Sequence, residues 1–440
     1  MPTAPTKKPS SVRHTRAVQR DRTKRPPSAP PDEQIVARLT EIVHPATLQL
    51  VDHYHHLGLR ERILTLPIMV ALVLSLIWRQ FAGVSELVRV AQQEALLWAP
   101  PLRRLSQQAL AQRLRTLPAT LFLRLLGHLL PVFQARWETR QRPLPAAIAW
   151  ARTRYTHLLA ADGSTLDALL RKVGLLQQDA THPLAGRMTA LLELTSRLPW
   201  RLWYEPDPQA HDQRCWPQIL AVLRAGMLLI IDLGYTNFSV FAQLTQAQVT
   251  FITRAKSNLA YQVATTLQRS STVHDSLVWI GQGIDRQQVR LVSILYHGLW
   301  YRYLTNELDP QRLPALLVVA LYRQRWRIED AYAIVKRLLG LAYFWCGAQN
   351  AVEMQLWATW LLYAVLVDLT DAVAEALERP MAQVSLEMVY RSLYFFTQAY
   401  HRGETTDVVA YLAAHAKEFG ILKRPRKPPT RQLPASADSS

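Results

Sequence analysis

The spacing of apolar residues divides the chain into a helical first part and a strand-like middle. Between Glu33 and about Pro145, Leu and Val recur every three or four residues with arginines between them, as in ELVRVAQQEALL, which is the pattern of amphipathic helices. After Arg154 the pattern changes to short apolar runs bounded by turn residues. The chain is therefore expected to have an all-α region over 31–145, followed by an α/β region over 150–347.

Two of these apolar runs predict β-strands that end in an aspartate. YTHLLAADGST carries Asp162, and RAGMLLIIDLGYTNFSVF carries Asp232 after MLLII, whose unbroken apolar character is typical of a central strand buried on both faces. Because sites in open α/β sheets gather at the carboxyl ends of strands, the two acids are expected on neighbouring strands. Each aspartate alone also suits an ordinary turn or helix-cap position, and that alternative stays open here.

The rest of the chain continues the two patterns. Residues 249–310 alternate apolar and polar positions, with glycines at 281, 283 and 298 marking turns, and predict a β-rich segment. Residues 348–422 include MQLWATWLLYAVLVDL and predict a helical C-terminal region. The apolar run from Ile63 to Trp78 is shorter than the ~20 residues that span a bilayer, so it predicts a buried helix and the protein is expected to have no membrane segment.

Composition and charge add a class of partner. The 440 residues are 49% hydrophobic and 19% charged, as in a globular protein, and carry a net charge of +18 rich in arginine, which favours a polyanion such as nucleic acid. The segments 1–30 and 423–440 are basic and rich in Pro, Ser and Thr, and are predicted to be disordered tails. Cys215 and Cys346 form no disulfide framework or metal-ligand spacing, which indicates a cytoplasmic protein.

An acid stands among cations in the segment YRQRWRIEDAYAIVK, residues 322–336. At ~100° per residue, Tyr322, Arg325, Glu329 and Lys336 share one stripe of a helix. An acid on such a stripe suits metal binding and the cations suit DNA phosphates. Arg325 and Glu329 equally suit a surface i,i+4 ion pair worth ~0.2–0.5 kcal/mol.

Three motifs together resemble the DDE transposases of bacterial insertion sequences that carry the YREK signature. The signature is matched by Tyr322, Arg325, Glu329 and Lys336, with Trp326 beside the arginine. The first family aspartate lies in a DG[ST] context, as Asp162-Gly163-Ser164 does, and the second in D-x-G-[FY], as Asp232-Leu233-Gly234-Tyr235 does. The order and context of all three agree over roughly residues 155–345.

The resemblance implies a ribonuclease-H-like catalytic core, with the β-rich insertion preceding the helix of the catalytic glutamate. It implies that Asp162, Asp232 and Glu329 hold two Mg²⁺ ions, for which Mn²⁺ can substitute. Hard divalent cations prefer carboxylate oxygens, and such a pair of ions can activate a hydroxyl nucleophile and stabilise the leaving oxygen. Asp167 and Asp330 are rival carboxylates, and Asp162 and Glu329 are preferred.

The same resemblance assigns DNA contacts. Tyr322, Arg325, Lys336 and Trp326 are expected to contact DNA around the scissile bond. Trp279 and Trp300 in the β-rich segment are candidates for stacking on an extruded base, and burial in the core is the more ordinary role for both.

The function expected from these residues is that of a cut-and-paste transposase. It would cleave transposon ends at their terminal inverted repeats and join the 3′-hydroxyl to target DNA, as a homodimer associated with the bacterial nucleoid. The helices of 31–145 are the expected end-binding region. Two alternatives are a metal-dependent nuclease without strand transfer and a domesticated DNA-binding protein that has lost catalysis.

Overall fold

The computed structural model describes residues 33–423, except 60–61, 82, 167–185, 208, 342–343 and 346–347. The N-terminal tail, almost all of the C-terminal tail, Asp167 and Cys346 lie outside the described residues. The predictions made for them therefore remain predictions.

Among the described residues, seven helices precede the first strand, where the period of apolar residues predicts helices. They are α1 (Glu33–Leu48), α2 (Val51–His55), α3 (Leu66–Trp78), α4 (Val84–Gln93), α5 (Gln107–Thr116), α6 (Thr120–Thr139) and α7 (Ala146–Arg152). Helix α3 contains most of the long apolar run and is almost entirely buried. Pro67 suits its first turn, where a missing N–H group costs no helical hydrogen bond.

In the part of the chain that the structure describes, nine strands form one sheet in the order β3-β2-β1-β4-β5-β9-β8-β7-β6. The strands are β1 (Leu158–Thr165), β2 (Arg187–Glu193), β3 (Pro199–Glu205), β4 (Leu228–Ile231), β5 (Thr250–Arg254), β6 (Gln262–Arg269), β7 (Val273–Ile280), β8 (Gln287–Tyr296) and β9 (Leu299–Thr305). Strands β1, β4 and β5 are parallel, and all other neighbours are antiparallel. The predicted β-rich segment therefore has its first strand in the centre of the sheet, and its other four strands extend that sheet.

The remaining helices lie between and after the strands. They are α8 (Trp216–Val222), α9 (Phe238–Gln246), α10 (Ala315–Arg323), α11 (Trp326–Ala333), α12 (Gln349–Ala376), α13 (Leu386–His401) and α14 (Val408–Ala414). Three-residue-per-turn segments occupy Asp212–Cys215 and Leu233–Tyr235, and a π-helical turn, Ile334–Leu338, follows α11.

The central strands are covered on both faces, which explains the unbroken apolar run of β4, LLII, whose four residues are all buried. One face packs on α8 and α9 through residues such as Leu229 and Phe241. The other packs on α7 and α10 through residues such as Ile230 and Val318.

The N-terminal and C-terminal helices share a single hydrophobic core instead of having one each. That core joins residues of α1 to α6 with residues of α11 to α14, for example Leu72, Phe122, Ile328 and Trp360. Helix α12 lies at its centre with 22 of its 28 residues buried. The helix that carries Glu329 thus belongs to the same hydrophobic core as the N-terminal helices.

Among the described residues, α12 is the one unbroken helix that is long and apolar enough to cross a membrane. Of its apolar window, 94% is buried inside the protein. Arg140 and Arg142, which follow α6, pair with its buried Asp368 and Asp371 at 2.6 and 2.5 Å. Buried polar contacts of this kind are those of a core helix.

One buried ion pair ties the extended part of the sheet to α10. Asp275 of β7 and Arg290 of β8 are 1% and 0% exposed and form two hydrogen bonds, of 2.8 and 2.5 Å. Arg290 Nη1 also donates to the carbonyl of Leu313, just before α10 begins. The pair therefore fixes where the chain enters the helices that carry the charged stripe.

We predict that Asp275→Ala lowers the free energy of unfolding by ~3–5 kcal/mol, because it leaves the buried guanidinium of Arg290 without its counter-charge. Urea denaturation measures the change. The matched control is Glu387→Ala, which breaks an exposed i,i+4 pair with Arg391 and should cost under ~0.5 kcal/mol. Equal losses in the two variants would contradict the role given to the buried pair.

Candidate active site

The pairing of strand β1 with strand β4 places Asp162 and Asp232 side by side. Strands β1 and β4 are parallel and Ala161 is opposite Ile231, so the next residue on each strand is an aspartate at the same level. This edge contains the carboxyl ends of β1, β4 and β5, which is where the sequence predicted that the two acids would meet.

Glu329 joins them through a shared cation, the guanidinium of Arg325. Its Nη2 atom lies 2.9 Å from Glu329 Oε1 and 3.8 Å from Asp232 Oδ1, and its Nη1 atom lies 3.3 Å from Asp162 Oδ2. The Arg325 side chain is 7% exposed, against 18%, 43% and 39% for Asp162, Asp232 and Glu329. The structure thus brings all three predicted carboxylates to one positive charge.

Burial and charge act in opposite directions on these groups. Burial raises the pKa of Asp162 to about 6, helped by the charges of Asp232 and Glu329 and opposed by Arg325 and by the Gly163 N–H group. For Arg325, burial alone would lower the pKa, but its acidic and phenolic neighbours raise it on balance. The guanidinium is therefore fully charged and is the counter-ion that keeps three acids together.

Two tyrosines fix the acids from the helix side. Tyr322 is buried, and its hydroxyl donates to Asp232 Oδ1 at 3.2 Å. The Tyr332 hydroxyl donates to the backbone carbonyl of Asp162 at 2.6 Å and accepts the N–H group of Ala190 at 3.1 Å. Tyr332 thereby attaches α11 to β1 and β2, a role that no motif in the sequence indicated.

The two other predicted DNA contacts differ in exposure. Lys336 Nζ donates to Ser164 Oγ at 2.5 Å and to the carbonyl of Thr165 at 2.7 Å, so it contacts the end of the strand that carries Asp162. Trp326 is 58% exposed, with the Arg325 guanidinium 5.3 Å from its ring. It presents an aromatic surface beside the carboxylates.

The structure corrects the prediction of one regular helix over 322–336, because the helix is broken there. Helix α10 ends at Arg323 and α11 begins at Trp326, because the N–H groups of Gln324 and Arg325 bond to carbonyls three residues back instead of four. After α11 the chain widens into the π-helical turn around Lys336. The four signature residues still face one site, but from a broken helix with a tight joint at Arg325.

The two candidate stacking tryptophans lie at opposite ends of their strands. Trp300 begins β9 opposite Leu295, on the carboxylate edge, and its ring stacks on His274 at 4.2 Å. Trp279 is opposite Gln262 and Gln288 near the other end, under Arg286 at 4.8 Å. Trp300 thus lies beyond the carboxylate edge, Trp279 lies near the opposite end of the strands, and neither contacts the acids in the described contacts.

The rival acid Asp330 faces elsewhere. It is exposed, and its negative charge acts to raise the pKa of the buried guanidinium groups of Arg327 and Arg197. Burial lowers the pKa of Arg327 to about 9, and the charge of Asp330 opposes that shift. Glu329, and not Asp330, is the acid of this helix that meets Asp162 and Asp232.

A fourth acid, Asp212, explains the glycine that follows Asp162. The Asp212 carboxylate forms an ion pair with Arg187 and lies against both Gly163 and Gly234. A Cβ atom at Gly163 would overlap that carboxylate, and one at Gly234 would lie 3.4 Å from its other oxygen. Gly163, directly after Asp162, thus leaves room for Asp212, although nothing in the sequence singled out Asp212.

The donor set is suited to a hard cation, although the acids hold an arginine as they stand. Three carboxylates from three elements converge on a single positive group, and carboxylate oxygens are what Mg²⁺ and Mn²⁺ prefer. Within the described ranges, no three His, Cys, Asp or Glu side chains are already arranged as a metal centre. The residues fit a divalent ion by donor chemistry, provided that the guanidinium gives way.

We predict that Gly163→Ala lowers the free energy of unfolding by ~1–3 kcal/mol, because the added methyl group overlaps the Asp212 carboxylate. Gly127→Ala in α6 is the control, since a Cβ there meets no atom within 4 Å and should add ~0.5–1 kcal/mol to helix stability. Urea denaturation measures both. The close approach of Asp212 would be refuted if the two substitutions had the same sign.

Comparison with known proteins gives the site a family. Residues 182–365 match the family model described as "Transposase DDE domain", a stretch that contains Asp232 and Glu329 and begins after Asp162. A curated protein of Sinorhizobium fredii (strain NBRC 101917 / NGR234), named "Putative transposase y4zB", is 28% identical over 155 residues, covering 33% of this chain and 43% of that protein. The chain thus spans less than half of that relative's length. Residues 182–365 are therefore similar to a transposase DDE domain.

Proposed function

We propose that the protein is a cut-and-paste transposase that cleaves transposon-end DNA and joins the freed 3′-hydroxyl to target DNA. The observation that carries the proposal is the convergence of Asp162, Asp232 and Glu329 on one cation at the carboxyl edge of a parallel β1-β4-β5 unit. The family supports a DNA substrate, and the net charge of +18 favours one as well.

We also propose a ribonuclease-H-like catalytic core. Its support is the strand order β3-β2-β1-β4-β5, in which β3, β2 and β1 are antiparallel and β1, β4 and β5 are parallel. The four strands β6 to β9 then form the insertion that precedes the glutamate helix.

Asp162, Asp232 and Glu329 would hold the divalent ions, Mg²⁺ with Mn²⁺ as a substitute and two in number. Bound there, the ions supply activation of a hydroxyl nucleophile and stabilisation of the leaving oxygen. The protein itself positions the acids, through the hydrogen bonds of Tyr322 to Asp232 and of Tyr332 to the backbone of Asp162.

Arg325 has two roles in this proposal. Without DNA, it neutralises the three acids, which would otherwise repel one another at close range. With DNA, its forked donors suit a phosphate next to the scissile bond. Lys336, Trp326 and Tyr322 surround the same position, with Tyr322 acting mainly through its hydrogen bond to Asp232.

The proposed partners are terminal inverted repeats and target DNA, both double-stranded, with two copies of the protein holding two ends. We place the protein in the bacterial cytoplasm at the nucleoid, where its substrate lies. The helices α1 to α6 are the proposed end-binding region, because they pack on the helix of Glu329 through the shared core.

Two alternatives keep the same fold. A nuclease without strand transfer would use the same acids and lose the joining step. A domesticated DNA-binding protein would have no need for three convergent carboxylates, and their convergence here argues against it.

We predict that Asp162→Ala, Asp232→Ala or Glu329→Ala abolishes Mg²⁺-dependent cleavage and leaves DNA binding largely intact. The reason is that metal ligands are needed for the reaction and not for binding DNA. The assay uses a labelled duplex from the DNA that flanks the gene, with a gel-shift measurement beside it. Asp330→Ala is the control, and Asp167→Ala should reduce cleavage far less than the loss of any of the three acids. An inactive Asp330→Ala variant beside an active Glu329→Ala variant would show that Asp330, and not Glu329, is the metal ligand of this helix.

We predict further that Lys336→Ala impairs strand transfer from a pre-nicked end more than it impairs the first nick. Lys336 contacts the strand end that follows Asp162, and a misplaced strand costs most where two DNA ends must be aligned. A stepwise assay compares Lys336→Ala with Lys336→Arg, which keeps the charge. Strand transfer equal to that of the parent protein would remove Lys336 from the site.

A further inference from the structure

The hairpin of β8 and β9 projects beyond the edge that holds the carboxylates. Ile230 of β4 is opposite Ile252 of β5, so Asp232 is level with Arg254, and Arg254 is opposite Tyr303 of β9. The four residues of β9 that precede Tyr303 pair with the end of β8. At ~3.3 Å per residue they reach roughly 13 Å past the acids.

One face of this hairpin continues the face on which the site lies. The Tyr303 ring packs 5.1 Å from Tyr322, whose hydroxyl donates to Asp232. Because side chains alternate along a strand, Tyr301 faces the same way as Tyr303, and its ring lies 6.3 Å from that of Tyr296. Trp300 is on the opposite face.

Two arginines complete this surface. The Arg254 guanidinium lies 5.5 Å from the centre of the Tyr301 ring, and that of Arg323 lies 5.1 Å from the Tyr296 ring. Both arginines are exposed, while the two tyrosines are partly exposed. Among the described residues, neither arginine has a carboxylate within ion-pair distance. Their charges also oppose the rise in the pKa of Tyr303 that burial causes.

These four residues, Arg254, Tyr296, Tyr301 and Arg323, are called the tyrosine–arginine strip. Aromatic rings interleaved with uncompensated guanidinium groups match single-stranded nucleic acid, whose bases stack on rings and whose phosphates meet cations. A duplex offers its phosphates but keeps its base faces covered. The chemistry of the strip therefore favours an unpaired strand.

We propose that the tyrosine–arginine strip binds an unpaired DNA strand that leaves the carboxylate site along the β8–β9 hairpin. The inference rests on the proposed function in that the ligand is DNA. It adds the path of one strand and four residues that no sequence motif indicated.

The test measures binding of the full chain to fluorescein-labelled dT20 and to a 20-base-pair duplex by fluorescence anisotropy, at several salt concentrations. Tyr301→Ala should weaken dT20 binding by about fivefold or more, because stacking contributes ~1–3 kcal/mol per base. Tyr301→Phe keeps the ring and should bind like the parent. Arg254→Gln, at an exposed position that leaves the core untouched, should reduce the salt slope for dT20 by ~0.7. Duplex binding should change less than twofold in all three.

Trp279→Ala is the matched control, since Trp279 lies under Arg286 in the same strands but at the opposite end. It should leave dT20 binding unchanged. The proposal is overturned if Tyr301→Ala and Arg254→Gln bind dT20 as the parent does, or if Trp279→Ala weakens binding equally. Cleavage assays separate this result from the proposed function: a chain that binds dT20 through the strip but never cuts DNA would refute the transposase activity and leave the strip standing.

Discussion

The three carboxylates depend on one guanidinium. Asp162, Asp232 and Glu329 come from two strand ends and a helix, and like charges so close together repel one another and would push these elements apart. Arg325 touches all three and is itself almost buried. Arg325 lies at the tight joint between α10 and α11. The geometry of the site therefore rests on this interaction.

The surrounding structure holds that joint from three directions. The Asp275–Arg290 pair fixes the entry to α10 through the carbonyl of Leu313. Tyr332 attaches α11 to the backbone of β1 and β2. The shared helical core, in which Ile328 and Trp360 are buried, supports α11 from behind. Together these contacts couple the extended sheet, the parallel strands and both helical regions to one place.

Much of this could be predicted from the sequence, because it depends on local pattern. The apolar run before Asp232 predicted a central strand, and two strands ending in acids predicted their meeting at one edge. What could not be predicted depends on contacts distant in sequence. No local signal shows that Arg325 meets Asp162, that Asp212 lies against Gly163, or that helices at the two ends of the chain share a core. The break at Arg325 was missed because its residues suit a continuous helix.

We propose that Arg325 occupies the place that a divalent cation would compete for. Calorimetric titration of Mn²⁺ into the parent protein and into Arg325→Gln, with Arg325→Gln/Glu329→Gln as reference, tests it directly. We expect tighter Mn²⁺ binding to Arg325→Gln than to the parent, since the three acids then lack their counter-ion, and a loss of that gain in the double variant. Mn²⁺ affinity that is unchanged or weaker in Arg325→Gln would contradict the account.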